Sequence, residues 1–140
     1  MTKNYFRVLI ILHVLFIAAA IVVAFIPDMY SAALASAYNS EPESWIITSE
    51  WLTLVIIIPL LLISIISIIG LFFFKHWGRT LSLYSTVAIT VISLSLGPSV
   101  VSALESTLLE ISTLIWGAVL ALAYYSPIST KFDNVSTREL

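Results

Sequence analysis

Two side chains in this sequence could do chemistry in an apolar setting. His13 and Glu110 lie inside long hydrophobic runs, and no other titratable group is expected within the hydrocarbon of a membrane. An imidazole changes charge near neutral pH, and a carboxyl can hold a proton or a cation. Ionisable groups inside a span are therefore read first as parts of an ion or proton path. Depth argues against joining them. At about 1.5 Å per residue, His13 lies about 8–9 Å beyond the start of the first run, whereas Glu110 lies near the start of the last run, in the opposite half. Each also has a plain structural use. A neutral histidine bonded to Ser64, Ser67, Ser82, Thr86 or Tyr124 would be a satisfied interior group. Glu110 could meet Ser93, Ser95, Asp28 or water at the outer mouth.

Other chemistry is not indicated. The chain has no Cys and two His, which removes thiolate ligands, disulfides and cysteine nucleophiles together. No His-x-x-x-His, Gly-x-Ser-x-Gly or glycine-rich phosphate loop occurs, and Glu41 and Glu43 flank Pro42 in a polar stretch, as surface charge does. A non-enzyme without cofactor or metal is expected. The formal charge of −2, with no block of like charges, gives no reason to expect nucleic-acid binding.

The elements that must position these groups follow from composition. Of 140 residues, 60% are hydrophobic and 10% charged; soluble domains carry about 25% charged residues. Lipid must be the solvent. Apolar runs at about 8–26, 52–74, 80–96 and 105–125 predict four spans of helix in one membrane domain, residues 1–140. A cleaved signal peptide is the competing reading of the first run, with Ala35-Ser36-Ala37 as a small-x-small site. The run exceeds the ~7–15 residues of a signal core, so an uncleaved helix is expected. Residues 27–51 predict an extracytoplasmic loop with a short interfacial helix, a capping box at Ser40 and Glu43, and Trp45 and Trp51 at the boundary. Pro59 should kink the second span. Gly97-Pro98 stops the third, and 126–140 reads as a polar cytoplasmic tail.

Orientation comes from the hairpin at 75–79, where Lys75, Trp77 and Arg79 form a basic, aromatic turn. With four crossings and a cytoplasmic N-terminus, all six Lys and Arg fall inside. Asp28, Glu41, Glu43, Glu50 and Glu105 fall outside or at the outer boundary. The Lys/Arg bias sets orientation, so N-in/C-in is predicted.

Three spans carry small or hydroxylated residues at steps of three and four: His13, Ile17, Ala20 and Ala24; Ser82, Thr86, Thr90, Ser93 and Gly97; Ser106, Glu110, Thr113, Gly117 and Ala121. Small residues allow close helix approach in lipid and hydroxyls can bond across helices. The stripes are expected to turn inwards. Short connections make spans two and three, and three and four, antiparallel neighbours. The predicted fold is an all-α, up-down four-transmembrane-helix bundle.

Phe72-Phe73-Phe74-Lys75-His76-Trp77-Gly78-Arg79, Leu96-Gly97-Pro98 and the exit Tyr124-Tyr125-Ser126-Pro127 resemble small bacterial four-span membrane proteins of unassigned function. The resemblance covers the second half of the chain and implies a multi-pass protein of the bacterial inner membrane, with no site residues. The expected role is that of a non-enzymatic accessory or immunity-type protein working by helix packing, with itself as a homo-oligomer or with a membrane-protein partner. The alternative is a subunit of a small oligomeric transporter or channel using Glu110 or His13. The lipid bilayer itself is the remaining expected partner, and no nucleic acid is expected.

Overall fold

Lipid offers backbone N–H and C=O groups no partners, so apolar runs of spanning length must satisfy them internally, as helices. A computed structural model of the chain describes residues 3–26, 33, 36, 40, 50–94 and 100–133. Among these residues the regular elements are all helical: α1 (Lys3–Ala24), α2 (Glu50–Phe72), α3 (His76–Ser93), α4 (Ala103–Tyr125) and a short α5 (Ser129–Asp133). The expected interfacial helix, the box at Ser40 and Glu43, Trp45, Gly97 and the residues after Asp133 lie outside the described residues.

Three helical segments are long and apolar enough to cross a membrane: α1, Leu54–Phe72 of α2, and α4. Only 22, 17 and 17% of their apolar stretches is buried within the chain, and α2 alone exposes Val55, Ile58, Leu61 and Ile65. Lipid or another membrane protein must cover that surface. The protein is a multi-pass membrane protein. α3, with Arg79 and a series of Ser and Thr, falls short of the apolar character of the other three. α1 starts at Lys3 rather than near residue 8, because Tyr5, Phe6 and Arg7 continue the helix and Phe6 is fully buried. α2 runs through Pro59 as one helix.

The helices associate as two pairs. α2 packs along α3, as the short hairpin requires, but the main neighbour of α4 is α1, and α3 touches α4 only lightly. This corrects the expected order of packing. The face of α4 that carries Ser112, Val119 and Ala123 is buried, as is the face of α1 that carries Phe6, Ile10, His13 and Ala20. These matching stripes draw α4 to α1.

The turn between α2 and α3 is unusually tight. The Lys75 N–H donates to the Gly70 carbonyl at 2.9 Å and the Phe74 N–H to that of Leu71 at 3.0 Å. This is a Schellman motif with Phe74, at φ 55°, in the left-handed position that glycine usually occupies. Gly70 and Gly78 then bring the two backbones together: a Cβ on Gly78 would stand 2.4 Å from the Gly70 carbonyl carbon. Ser67, Ser82 and Ser85 continue this small-residue seam as buried positions.

The pairs join at the end where this turn lies. Phe6, Phe74 and Phe132 form a ring cluster with centroids 5.4–6.0 Å apart, beside Ile10, Leu71, Val119, Ala123 and Ile128. The segment after α4 is thus not wholly a tail. Ser126 caps α4 through its Oγ–H to the Leu122 carbonyl at 2.6 Å, and α5 then folds back to bury Phe132 completely. At the other end, α4 opens with a capping box that was not expected. The Glu105 N–H donates to Ser102 Oγ at 3.1 Å and the Ser102 N–H to the Glu105 carboxylate at 3.4 Å.

Candidate functional site

His13 lies about 15 Å along α1 from Lys3, near mid-helix, because α1 begins before the apolar run does. It is buried, and its partners come from α4, not from the hydroxyls of α2 and α3. Nδ1 is 2.8 Å from Ser112 Oγ and 3.0 Å from the Ser112 carbonyl, and Ser112 Oγ is 3.2 Å from the His13 carbonyl. One hydrogen placement satisfies all three contacts. Nδ1–H is shared between the carbonyl and Oγ of Ser112, and the serine hydroxyl donates to the His13 carbonyl. The imidazole also stacks on Trp116, centroids 4.5 Å apart at 22°. Trp116 Nε1–H donates to Thr86 Oγ1 at 2.8 Å, and the Thr86 hydroxyl donates to the Ser82 carbonyl at 2.7 Å.

The result is a polar tie running from α1 through α4 to α3. It links the two helix pairs, which otherwise touch little. Its links are donor–acceptor matched, so it behaves as a fastening. Ser112 and Trp116 were not anticipated. The readable signal was Trp116 itself: an indole deep in an apolar run needs an acceptor for its N–H, and Ser112 stands four residues earlier on the same face.

The link between pairs is testable by a double-mutant cycle. Trp116→Phe and Thr86→Val should each lower stability by about 1 kcal/mol, and the double variant should show a coupling of ~0.5–1.5 kcal/mol. Reversible unfolding in mixed micelles measures it. Additive losses would mean that the bond contributes nothing.

Glu110 stands two residues before Ser112 on α4, about 3 Å along the axis. The expected separation in depth from His13 is therefore corrected: the two groups lie at similar depth, against different faces of α4. Glu110 is exposed on the outer face of α4 and accepts a long hydrogen bond, 3.4 Å, from Ser106 of its own helix. Ser93 instead bonds to Thr90 of its own helix, and Ser95 and Asp28 lie outside the described residues. Thr113, Gly117 and Ala121 are exposed on the same helix, as are Thr90 and Ser93 on α3 and Ala24 at the end of α1; of the expected packing residues, Ala20 is buried and Thr86 half-buried. The inward stripes are therefore corrected for most of α4 and the end of α3. The physical reason is local. Thr90 Oγ1 donates to the Thr86 carbonyl at 2.9 Å, Ser93 Oγ to Thr90 at 2.8 Å and Thr113 Oγ1 to Leu109 at 2.8 Å. A hydroxyl bonded back to its own helix needs no partner across a helix interface and can face lipid.

The hairpin residues do more than anchor. Trp77 is half-exposed, yet its ring lies over Gly70, within 2.7 Å of where a Cβ would stand. Arg79 pairs with Asp133 at 3.1 Å and reaches the Ala123 carbonyl at 3.5 Å. Its guanidinium lies 4.9 Å from the Tyr124 ring centroid, so it fastens α3 to α4 and α5. Lys75 is exposed, and Trp51 stands exposed at the opposite end, at the start of α2. Among the described residues no three His, Cys, Asp or Glu come together as a metal site would require. Comparison of the chain with protein-family models, curated proteins and solved structures finds no match to any of them.

Proposed function

We propose that this chain is a non-enzymatic protein of the bacterial inner membrane that works by helix packing. The outer face of α4 would dock against a helix of a second copy or of a partner protein, as in an accessory or immunity-type protein. The observation that carries this reading is the outward stripe of Glu110, Thr113, Gly117 and Ala121. A Cβ built on Gly117 meets nothing within 4 Å, so the chain itself makes no use of that close-approach position. An intramembrane carboxyl left facing lipid is costly, and a packed helix relieves the cost.

Four crossings, N-in/C-in, are part of the reading. Phe6 near the start of α1 and Phe132 after α4 lie 6.0 Å apart. An even number of crossings brings both ends of a chain to one side, and α3, at 18 residues or about 27 Å, is the segment available for the fourth. Lys3, Arg7, Lys75, Arg79 and Lys131 all belong to that end, whereas Glu50 and Glu105 begin helices at the other. Such a bias favours the basic end as cytoplasmic. The bacterial inner membrane follows from the resemblance of the second half of the chain. A transporter or channel subunit keeps Glu110, between copies, and loses His13, which its own partners enclose.

The absence of Cys makes the test direct. Single variants Thr113→Cys and Gly117→Cys, each carrying a thiol-attached photocrosslinker and irradiated in membranes, should give a cross-linked dimer or an adduct identifiable by mass spectrometry. Val22→Cys and Ile58→Cys, also on exposed positions, should not. Equal cross-linking at all four positions, or none at any, would overturn the reading.

A further inference from the structure

We propose that the cleft between α1 and α2 at the basic end of the molecule binds one anionic phospholipid, an acyl chain in the cleft and the headgroup phosphate on Arg7 and Lys3. The cleft, about 250 Å³, is lined only by apolar side chains, among them Ile11, Val14 and Leu15 of α1 and Ile68, Ile69 and Phe72 of α2. It exists because the two helix pairs meet at the ring cluster and through the contacts of α4 with α3, which leaves α1 and α2 in slight contact.

Arg7 stands one helical turn before Ile11, at the end of this cleft. Its Nε–H donates to the Phe72 carbonyl at 3.3 Å, and its guanidinium lies 5.0 Å from the Phe72 ring centroid and 5.5 Å from that of Phe74. These contacts fix the plane of the guanidinium and leave both terminal nitrogens without a hydrogen-bond partner among the described residues. Lys3 Nζ lies 5.7 Å from the same Phe74 ring. No described carboxylate pairs with either cation; the ion pair at this end is Arg79 with Asp133.

An apolar trough closed by two uncompensated cations matches a lipid with an anionic head. A phosphate takes the fork of an arginine well, and an acyl chain needs no polar partner. A helix of a second copy fits less well. Its described acidic positions Glu50, Glu105 and Glu110 lie towards the opposite end, and Asp133 is engaged by Arg79. The proposal requires the chain to be in a membrane but makes no use of the α4 face, so it can fail or stand independently of the cross-linking result.

The test uses the full chain in a neutral detergent, titrated with phosphatidylglycerol or with phosphatidylcholine of the same acyl chains, and read by native mass spectrometry. Phosphatidylglycerol should be retained roughly tenfold better, the preference expected of two basic side chains beside one phosphate. Arg7→Gln should bring the two lipids together. Leu15→Trp, at a position 58% exposed and hence tolerant of bulk, should weaken both by obstructing the trough while leaving the fold intact. Inorganic phosphate at millimolar concentration should not compete. Equal retention of the two lipids by the unaltered chain would overturn the proposal. So would a preference that survives Arg7→Gln, unaltered binding in Leu15→Trp, or full displacement by inorganic phosphate.

Discussion

Gly78→Ala should be among the most damaging single substitutions in the molecule, though it adds one methyl group. The new Cβ would stand 2.4 Å from the Gly70 carbonyl carbon and 2.7 Å from the Leu71 nitrogen. Those are backbone atoms, so no rotamer change can make room. α2 and α3 must separate, and the hairpin whose hydrogen bonds close over Gly70 must open with them. Overpacking usually costs ~1–3 kcal/mol; with backbone on both sides the loss should be about 3 kcal/mol. On the dissociated monomer, Gly117→Ala is the matched control, because within the chain its Cβ would meet nothing and helix propensity favours alanine by ~0.5–1 kcal/mol. Unfolding of the purified protein in mild detergent should therefore move in opposite directions for the two variants. If Gly78→Ala stays within about 1 kcal/mol of the unaltered chain, the close approach does not hold the pair together.

The contrast between these glycines explains what could and could not be read in advance. Three long apolar helices were legible because lipid imposes one rule on every apolar run: helix, of a given length. The hairpin was legible because Lys75 and Arg79 interrupt that rule. Which faces meet was not. Gly117-x-x-x-Ala121 looks like a packing motif and faces out, whereas Gly70 and Gly78 pack and lie on different helices, so no single-helix spacing reveals them. Hydroxyl stripes misled for a related reason. Thr90, Ser93 and Thr113 have their hydrogen bonds inside their own helices, so polarity carried no information about direction.

The site divides in the same way. His13 was identifiable as a buried polar group in need of one partner, and it has one. That the partner is Ser112, and that Trp116 extends the tie to Thr86, follows from the pairing of α1 with α4. The connections between consecutive helices do not encode that pairing. Glu110 was expected to be inside because charge in lipid is costly. Its exposed position transfers the question from this chain to what covers it.

Phe74 supports the second large prediction, in which the smaller replacement should be the better one. Phe74→Ala and Phe74→Gly both remove a ring that packs on Phe6 and Phe132 and lies under Lys3 and Arg7. Loss of a buried phenyl ring costs ~3–5 kcal/mol. The two variants then differ in backbone alone. At φ 55°, alanine keeps the clash between Cβ and carbonyl that left-handed geometry brings, about 1–2 kcal/mol, and glycine does not. Glycine gains entropy on unfolding, which offsets part of that advantage. Phe74→Gly should therefore unfold with a stability about 1 kcal/mol above Phe74→Ala, although both fall well below the unaltered chain. This reverses the order of the two residues inside a helix. Equal or opposite stabilities would mean that the turn relaxes once the ring is gone. In that case it is the packing of Phe74 against the ends of α1 and α5 that holds the left-handed turn, and the Gly70–Gly78 contact depends on the aromatic cluster. The expected order means instead that the hairpin keeps its shape without the ring. The turn is then a rigid clasp against which α1 and α5 pack.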